Sequence, residues 1–185
     1  MIEFRTFTDE QIKELLKEQK VLDDEIRAKN DIPMEKDLTM QKYIALKTEL
    51  FELTNQIESF KFWKKHKGKD KILEEGVDVL HFILSMALDA ELDVTYENNE
   101  QVVKVFQDTL DDLKNYDKEY IINESIVVID TLLTSIVETN QKECLLPVLI
   151  LLTIILQICG YSIDDVYNAY IHKNEINHKR QKNNY

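Results

Sequence analysis

The chain has 185 residues, enough for one domain with a real core, and only 3 glycines and 2 prolines, which favours long helices over a turn-rich β fold. A formal net charge of −12 argues against a nucleic-acid polymer as partner but not against a free nucleotide, whose phosphate charge bound metal can offset. Cys144 and Cys159 are too few for a disulfide framework and point to a reduced, cytoplasmic setting.

Residues 1–8 lack the apolar stretch of a signal peptide. Thr8 and Gln11 have the spacing of a capping box, and the helix they open carries Ile12, Leu15, Leu16, Gln19, Leu22 and Ile26 at helical intervals. Gln19 is a polar amide on this apolar stripe, with Asp23 one turn further on. Gln19 reads either as a boundary residue whose head reaches water or as a group that recognises a polar ligand edge.

A break over Asn30–Asp37, containing Pro33, precedes a second helix expected from Thr39 to about Phe62. Tyr43, Leu46, Leu50, Leu53, Ile57 and Phe60 form its three-four stripe, the pattern of bundle packing. Glu49 and Glu52 flank that seam. His66–Asp70 forms a polar connector, and Asp70 is placed to cap a third helix running from Lys71 to about Asp89. Glu75, Asp78 and His81 descend this helix at intervals of three, and Glu74 competes with Glu75 by spacing alone. His81 on so apolar a helix is more often a satisfied core residue than a metal ligand.

Residues three apart on a helix share a face. If the second and third helices pack together, Glu49, Glu52, Glu75 and Asp78 converge, and four carboxylates so placed call for a hard divalent cation such as Mg²⁺.

Glu91–Gln101 is expected to be a loop, and Val102–Asn140 two helices divided near Asn115–Lys118. Leu145–Ile158 is apolar throughout but too short to span a bilayer, and is expected in the core or a subunit interface. Gly160 should end that helix, and Ser162 should cap the last one. The final segment, with Lys173, Asn177 and Arg180 on one helical side, is rich in phosphate-seeking donors within an acidic chain. It is either a frayed end or a lid that substrate orders.

Five ordered blocks together resemble the all-α nucleoside triphosphate pyrophosphatases, the MazG-like superfamily, and within it the dimeric dUTPases of bacteria and their phages. They are Gln19-Lys-Val-Leu-Asp23, Glu49-Leu-Phe-Glu52-Leu-Thr-Asn55, Phe60-Lys-Phe-Trp63, Leu73–Phe82, and Lys173-Asn174-x-x-Asn177-x-x-Arg180-Gln181-x-x-Asn184-Tyr185. The likeness covers Gln19–His81 and Tyr170–Tyr185. Phe51, Thr54 and Asn184 depart from the family's usual glycine, alanine and glycine.

The resemblance implies an all-α fold with a four-helix core and additional helices, as one domain over 1–185, in a homodimer. It implies hydrolysis of dUTP to dUMP and pyrophosphate, and of dUDP as well. Two or three Mg²⁺ would be held by Glu49, Glu52, Glu75 and Asp78, with Glu49 orienting and deprotonating the attacking water. Gln19 would read the uracil edge beside Asp23, Trp63 would pack on base or sugar, and His81 would line the deoxyribose pocket. Lys61, Lys64 (or Lys65), Lys173, Asn177 and Arg180 would hold phosphate oxygens, with Tyr185 closing the site. Two alternatives stand beside this: a MazG-like pyrophosphatase acting on dCTP or several nucleotides, and a phage-type protein that binds a repressor. No membrane association is expected.

Overall fold

The computed structural model describes residues 4–65, 70–113 and 116–183. Among them are seven α-helices and no strand. Helix α1 (Asp9–Lys29) opens with the expected capping box: Thr8 Oγ1 accepts from the Gln11 backbone N–H, and Gln11 Oε1 accepts from that of Thr8. Its face of Ile12, Leu15, Gln19 and Leu22 is buried.

Helix α2 (Thr39–Ile57) stops five residues before the expected end. Glu58 adopts a left-handed conformation with φ 60°, and its N–H closes the helix on the Thr54 carbonyl. Its buried carboxylate then gathers the ammonium groups of Lys61 and Lys64, which requires the chain to turn. Phe60, expected on the buried stripe, is consequently exposed.

Helix α3 (Ile72–Asp89) is the central element, with twelve of its eighteen residues buried. It packs against α1, α2, α6 and α7. Asp70 does not cap it; the N-cap is Lys71, which makes no side-chain bond there. The approach to α6 (Leu145–Ile158) is close at Gly76, where a Cβ would lie 2.6 Å from a methyl of Leu156. A larger residue there would force the Leu156 side chain to shift, beside Glu75.

Helices α4 (Glu100–Leu113) and α5 (Lys118–Thr139) flank the expected division. The side chains of Leu110 and Leu113, expected on an apolar face, lie outside the described set. Contacts of α2 with α3, α3 with α6, α6 with α5 and α5 with α2 close a four-helix ring. Helices α1 and α7 (Ile163–Lys182) pack on each other and on α3.

Twelve of fourteen residues of α6 are covered within the single chain. Of the two placements expected for Leu145–Ile158, core or subunit interface, the structure of the single chain shows the core; on α5, Val127 and Val128 are exposed. By length and composition α5 is the one described helix that could cross a membrane. Its contacts with α2 and α6, and the 2.7 Å pairing of Asp130 with Lys47, give it a place in the bundle instead.

After α6, Gly160 takes φ +103°, and the N–H groups of Gly160 and Tyr161 close on the carbonyls of Gln157 and Leu156. This Schellman turn favours glycine, as the sequence indicated. Ser162 then caps α7 in a capping box with Asp165.

Candidate active site

Glu49 and Glu52 leave α2 on the side that meets α3, where Glu75 and Asp78 stand. One oxygen from each of Glu49, Glu52 and Glu75 lies within 4.8 Å of the others. Glu75 is buried, Glu49 half-buried and Glu52 exposed. Of the two glutamates that spacing left open, Glu75 joins this group, whereas Glu74 is exposed, 3.4 Å from the Lys173 ammonium.

Asp78 is not in that close group. Its carboxylate is drawn to Lys173 Nζ at 2.7 Å, although its charge still reaches Glu49 and Glu75. Burial, followed by repulsion from Asp78, Glu52 and Glu75, raises the Glu49 pKa to about 7. Burial and the neighbouring carboxylates raise Glu75 too. Burial raises Asp78 in spite of the Lys173 bond. Three oxygens so close, with little protein cation to oppose them, form a hard-donor set suited to a divalent ion.

Asp78 also forms part of the wall of a cleft of about 220 Å³ between α1, α3 and α7, lined by Gln19, Leu22, Asp23, Ile26, His81, Phe82, Ser85 and Asn177. Gln19 is buried. Its Nε2 donates to Asp23 Oδ1 at 2.7 Å, and its Oε1 lies 2.8 Å from both the Tyr170 hydroxyl and His81 Nδ1. The carbonyl of Gln19 is thus occupied within the protein, so a paired donor-acceptor reading of a base by this residue is not open in this state. Asp23 also accepts from Ser85 Oγ at 2.6 Å. Lys42 stands 3.5 Å from Asp23 and 2.6 Å from Asp89.

Helix α7 is helical to Lys182 and docked on α1 and α3. Besides the Lys173–Asp78 pair, His178 bonds Glu25 and Lys29 bonds the Gln181 carbonyl. Over 173–182 the helix is formed and docked without substrate, so neither a frayed end nor a segment that waits for substrate to order it describes these residues; Lys173 and His178 already have acidic partners. Arg180 Nη1 lies 3.4 Å from Asn177 Oδ1, and its charge is felt at Asp78. Tyr185 lies outside the described residues.

Lys61 and Lys64 are not directed at the acidic group. Both bond the Glu58 carboxylate, which they hold down at about 2. Trp63 is 65 % exposed and meets Phe60 and Phe62 edge-on.

The sequence reading assigned no role to Asn174, which is 97 % buried with neither amide atom partnered. A buried amide left so is costly unless a ligand completes it. Its signal was its place four residues after Tyr170, on the face of α7 that turns inward.

The dUTPase family model matches residues 11–185. The chain belongs to the dUTPase family. No curated protein matches it. Its reaction is therefore hydrolysis of dUTP as a dUTP diphosphatase. For a dUTPase the geometry has a simple logic. Asp78, whose charge acts on Glu49 and Glu75, also forms part of the wall of the cleft, so the acidic group and the cleft adjoin.

Proposed function

We propose that Glu49, Glu52, Glu75 and Asp78 hold two or three Mg²⁺ ions, and that the cleft beside them takes the deoxyuridine moiety of dUTP or dUDP. The observation that carries this is the cleft wall shared with Asp78. Bound Mg²⁺ would neutralise the phosphate chain and stabilise charge on the leaving pyrophosphate.

The remaining roles fall to the chain itself. Glu49, the half-buried member of the close group, orients and deprotonates the water that attacks the α-phosphorus. Gln19, Asp23 and His81 form the nucleoside wall, and Asn174 offers an unpaired amide nearby on α7. Trp63 covers base or sugar from the turn after α2. Lys173 leaves Asp78 for phosphate oxygens as cations enter, and Asn177 and Arg180 lie further along the same helix. Lys61 and Lys64 reach the phosphates by exchanging the Glu58 carboxylate for them. Tyr185 closes the site.

Exposed Met40, Ile44 and Phe51 on α2, with Val127 and Val128 on the adjoining α5, support a homodimer formed through these helices. The reduced thiols Cys144 and Cys159 suit the cytoplasm.

Pyrophosphate release from each deoxynucleoside triphosphate, and phosphate release from dUDP, with and without Mg²⁺, tests this reading. Turnover confined to dUTP and dUDP and dependent on Mg²⁺ is expected. Equal turnover of dCTP would favour the broader MazG-like specificity, and full activity in chelator would sink the metal assignment.

A further inference from the structure

The contacts of Gln19 fix more than its own position. Its Nε2 faces Asp23 Oδ1 at 2.7 Å. Turning the amide over would set its oxygen against that carboxylate, two acceptors in contact, so Asp23 determines which way the amide lies. Asp23 is itself held by the Ser85 hydroxyl and by Lys42, which Asp89 anchors in turn. Gln19 Oε1 can then only accept. The atom 2.8 Å from it is His81 Nδ1, which must carry a proton to make that contact.

Tyr170 reinforces the arrangement. Its hydroxyl donates to the same oxygen at 2.8 Å, and its ring stacks on His81 with centroids 4.3 Å apart. The other ring nitrogen, His81 Nε2, is buried and has no partner. Burial, together with the Lys173 charge, pushes the His81 pKa down to about 3, so the ring is neutral at ordinary pH and Nε2 bears a lone pair.

Resting on the reading that the cleft takes the nucleoside, we propose that Asp23 and Gln19 are positioning residues that lock His81 in its Nδ1–H form. Nε2 is thereby an obligate acceptor for an N–H or O–H group of the bound nucleoside. Such an acceptor selects by polarity. Uracil presents N3–H where cytosine presents a lone pair, and a 3′-hydroxyl is the other donor a deoxynucleoside offers. An acceptor facing an acceptor would leave two buried groups unpaired, which discriminates far more strongly than a change of size.

The form of the ring is read directly by ¹⁵N NMR of the imidazoles in the full-length, nucleotide-free protein near neutral pH. The expected spectrum shows His81 with a protonated Nδ1 and a bare Nε2. A protonated Nε2 with a bare Nδ1 would overturn the inference, even in a fully active enzyme. Asp23→Asn should release the Gln19 amide, mix the two forms and lower kcat/KM for dUTP by on the order of tenfold. An unchanged imidazole spectrum in that variant would overturn the role of Asp23 as the lock.

The ligand half is tested with two analogues on the wild-type enzyme: N3-methyl-dUTP removes the base donor, and 2′,3′-dideoxy-UTP removes the sugar donor. One of them should lose on the order of tenfold or more in kcat/KM, which names the donor. Equal turnover of both and of dUTP would overturn the acceptor role. The cleft assignment is tested separately: a non-hydrolysable dUTP analogue with Mg²⁺ should shift the His81 resonances. If it binds without shifting them, the nucleoside lies elsewhere and the inference falls with that reading.

Discussion

The two ends of the site are built on opposite principles. At the cleft, Asp23, Gln19, His81, Ser85 and Tyr170 bond one another in a nearly closed network, leaving His81 Nε2 unpartnered. At the acidic group, proposed to meet the phosphates, Glu49, Glu52 and Glu75 lie close together, and Glu49 and Glu75 are held above the usual carboxylate range. The first end is organised before anything binds. The second carries electrostatic strain that a cation would relieve, so metal affinity there is gained partly at the expense of the metal-free fold.

The largest expected effect breaks the acidic group. Glu52→Gln keeps the size and removes one charge. Losing a group that merely supports a metal ligand costs about ten- to a hundredfold, and losing a ligand should cost more. Turnover should therefore fall at least on the order of a hundredfold, while thermal melting of the metal-free protein stays level or rises. A variant that turns over dUTP normally at ordinary Mg²⁺ would show that Glu52 is not a ligand. Arg180→Ala comes next. Losing a charge-assisted phosphate contact should lower kcat/KM by on the order of tenfold to a thousandfold without altering melting, since the residue is exposed.

Tyr170→Phe probes the closed network. It removes one donor to Gln19 Oε1 but leaves the stacked ring, so a loss of about 1 kcal/mol in unfolding free energy is expected from denaturant titration. No loss would mean that this hydroxyl contributes little and that the network is looser than its distances suggest. The pH dependence is the gentlest distinction. The folded pKa of Glu49, about 7, lies above its ordinary value of 4.5. Between these values the native state binds more protons than the unfolded state, so this group's contribution to stability declines as pH rises through that window. Melting of the metal-free protein from pH 4.5 to 7 should show the decline, and Glu49→Gln should lessen it, leaving the share that the raised Glu75 and Asp78 carry.

What the sequence made legible was local. The acidic pairs are three apart on continuous helices, so their shared faces follow from the helical repeat alone. Thr8 with Gln11, and Gly160 before Ser162, announce helix ends through chemistry contained in a few residues. The early end of α2 was not visible because it depends on Glu58 burying its carboxylate with Lys61 and Lys64, in a turn that the apolar stripe does not encode. The docking of α7 depends on acidic residues far away in sequence, Asp78 for Lys173 and Glu25 for His178. Asn174 belongs to the C-terminal block in the sequence, but nothing local distinguishes it there from its polar neighbours. Its burial with both amide atoms unpaired became visible only in the fold.

Calorimetric titration of Mg²⁺ into the protein saturated with a non-hydrolysable dUTP analogue, for wild type and Glu52→Gln in parallel, tests the central claim most directly. Cation binding to more than one site per chain in the wild type, weakened on the order of a hundredfold or lost in the variant, is the expected result. Equal Mg²⁺ binding by both proteins would contradict the assignment of the acidic group as the metal centre.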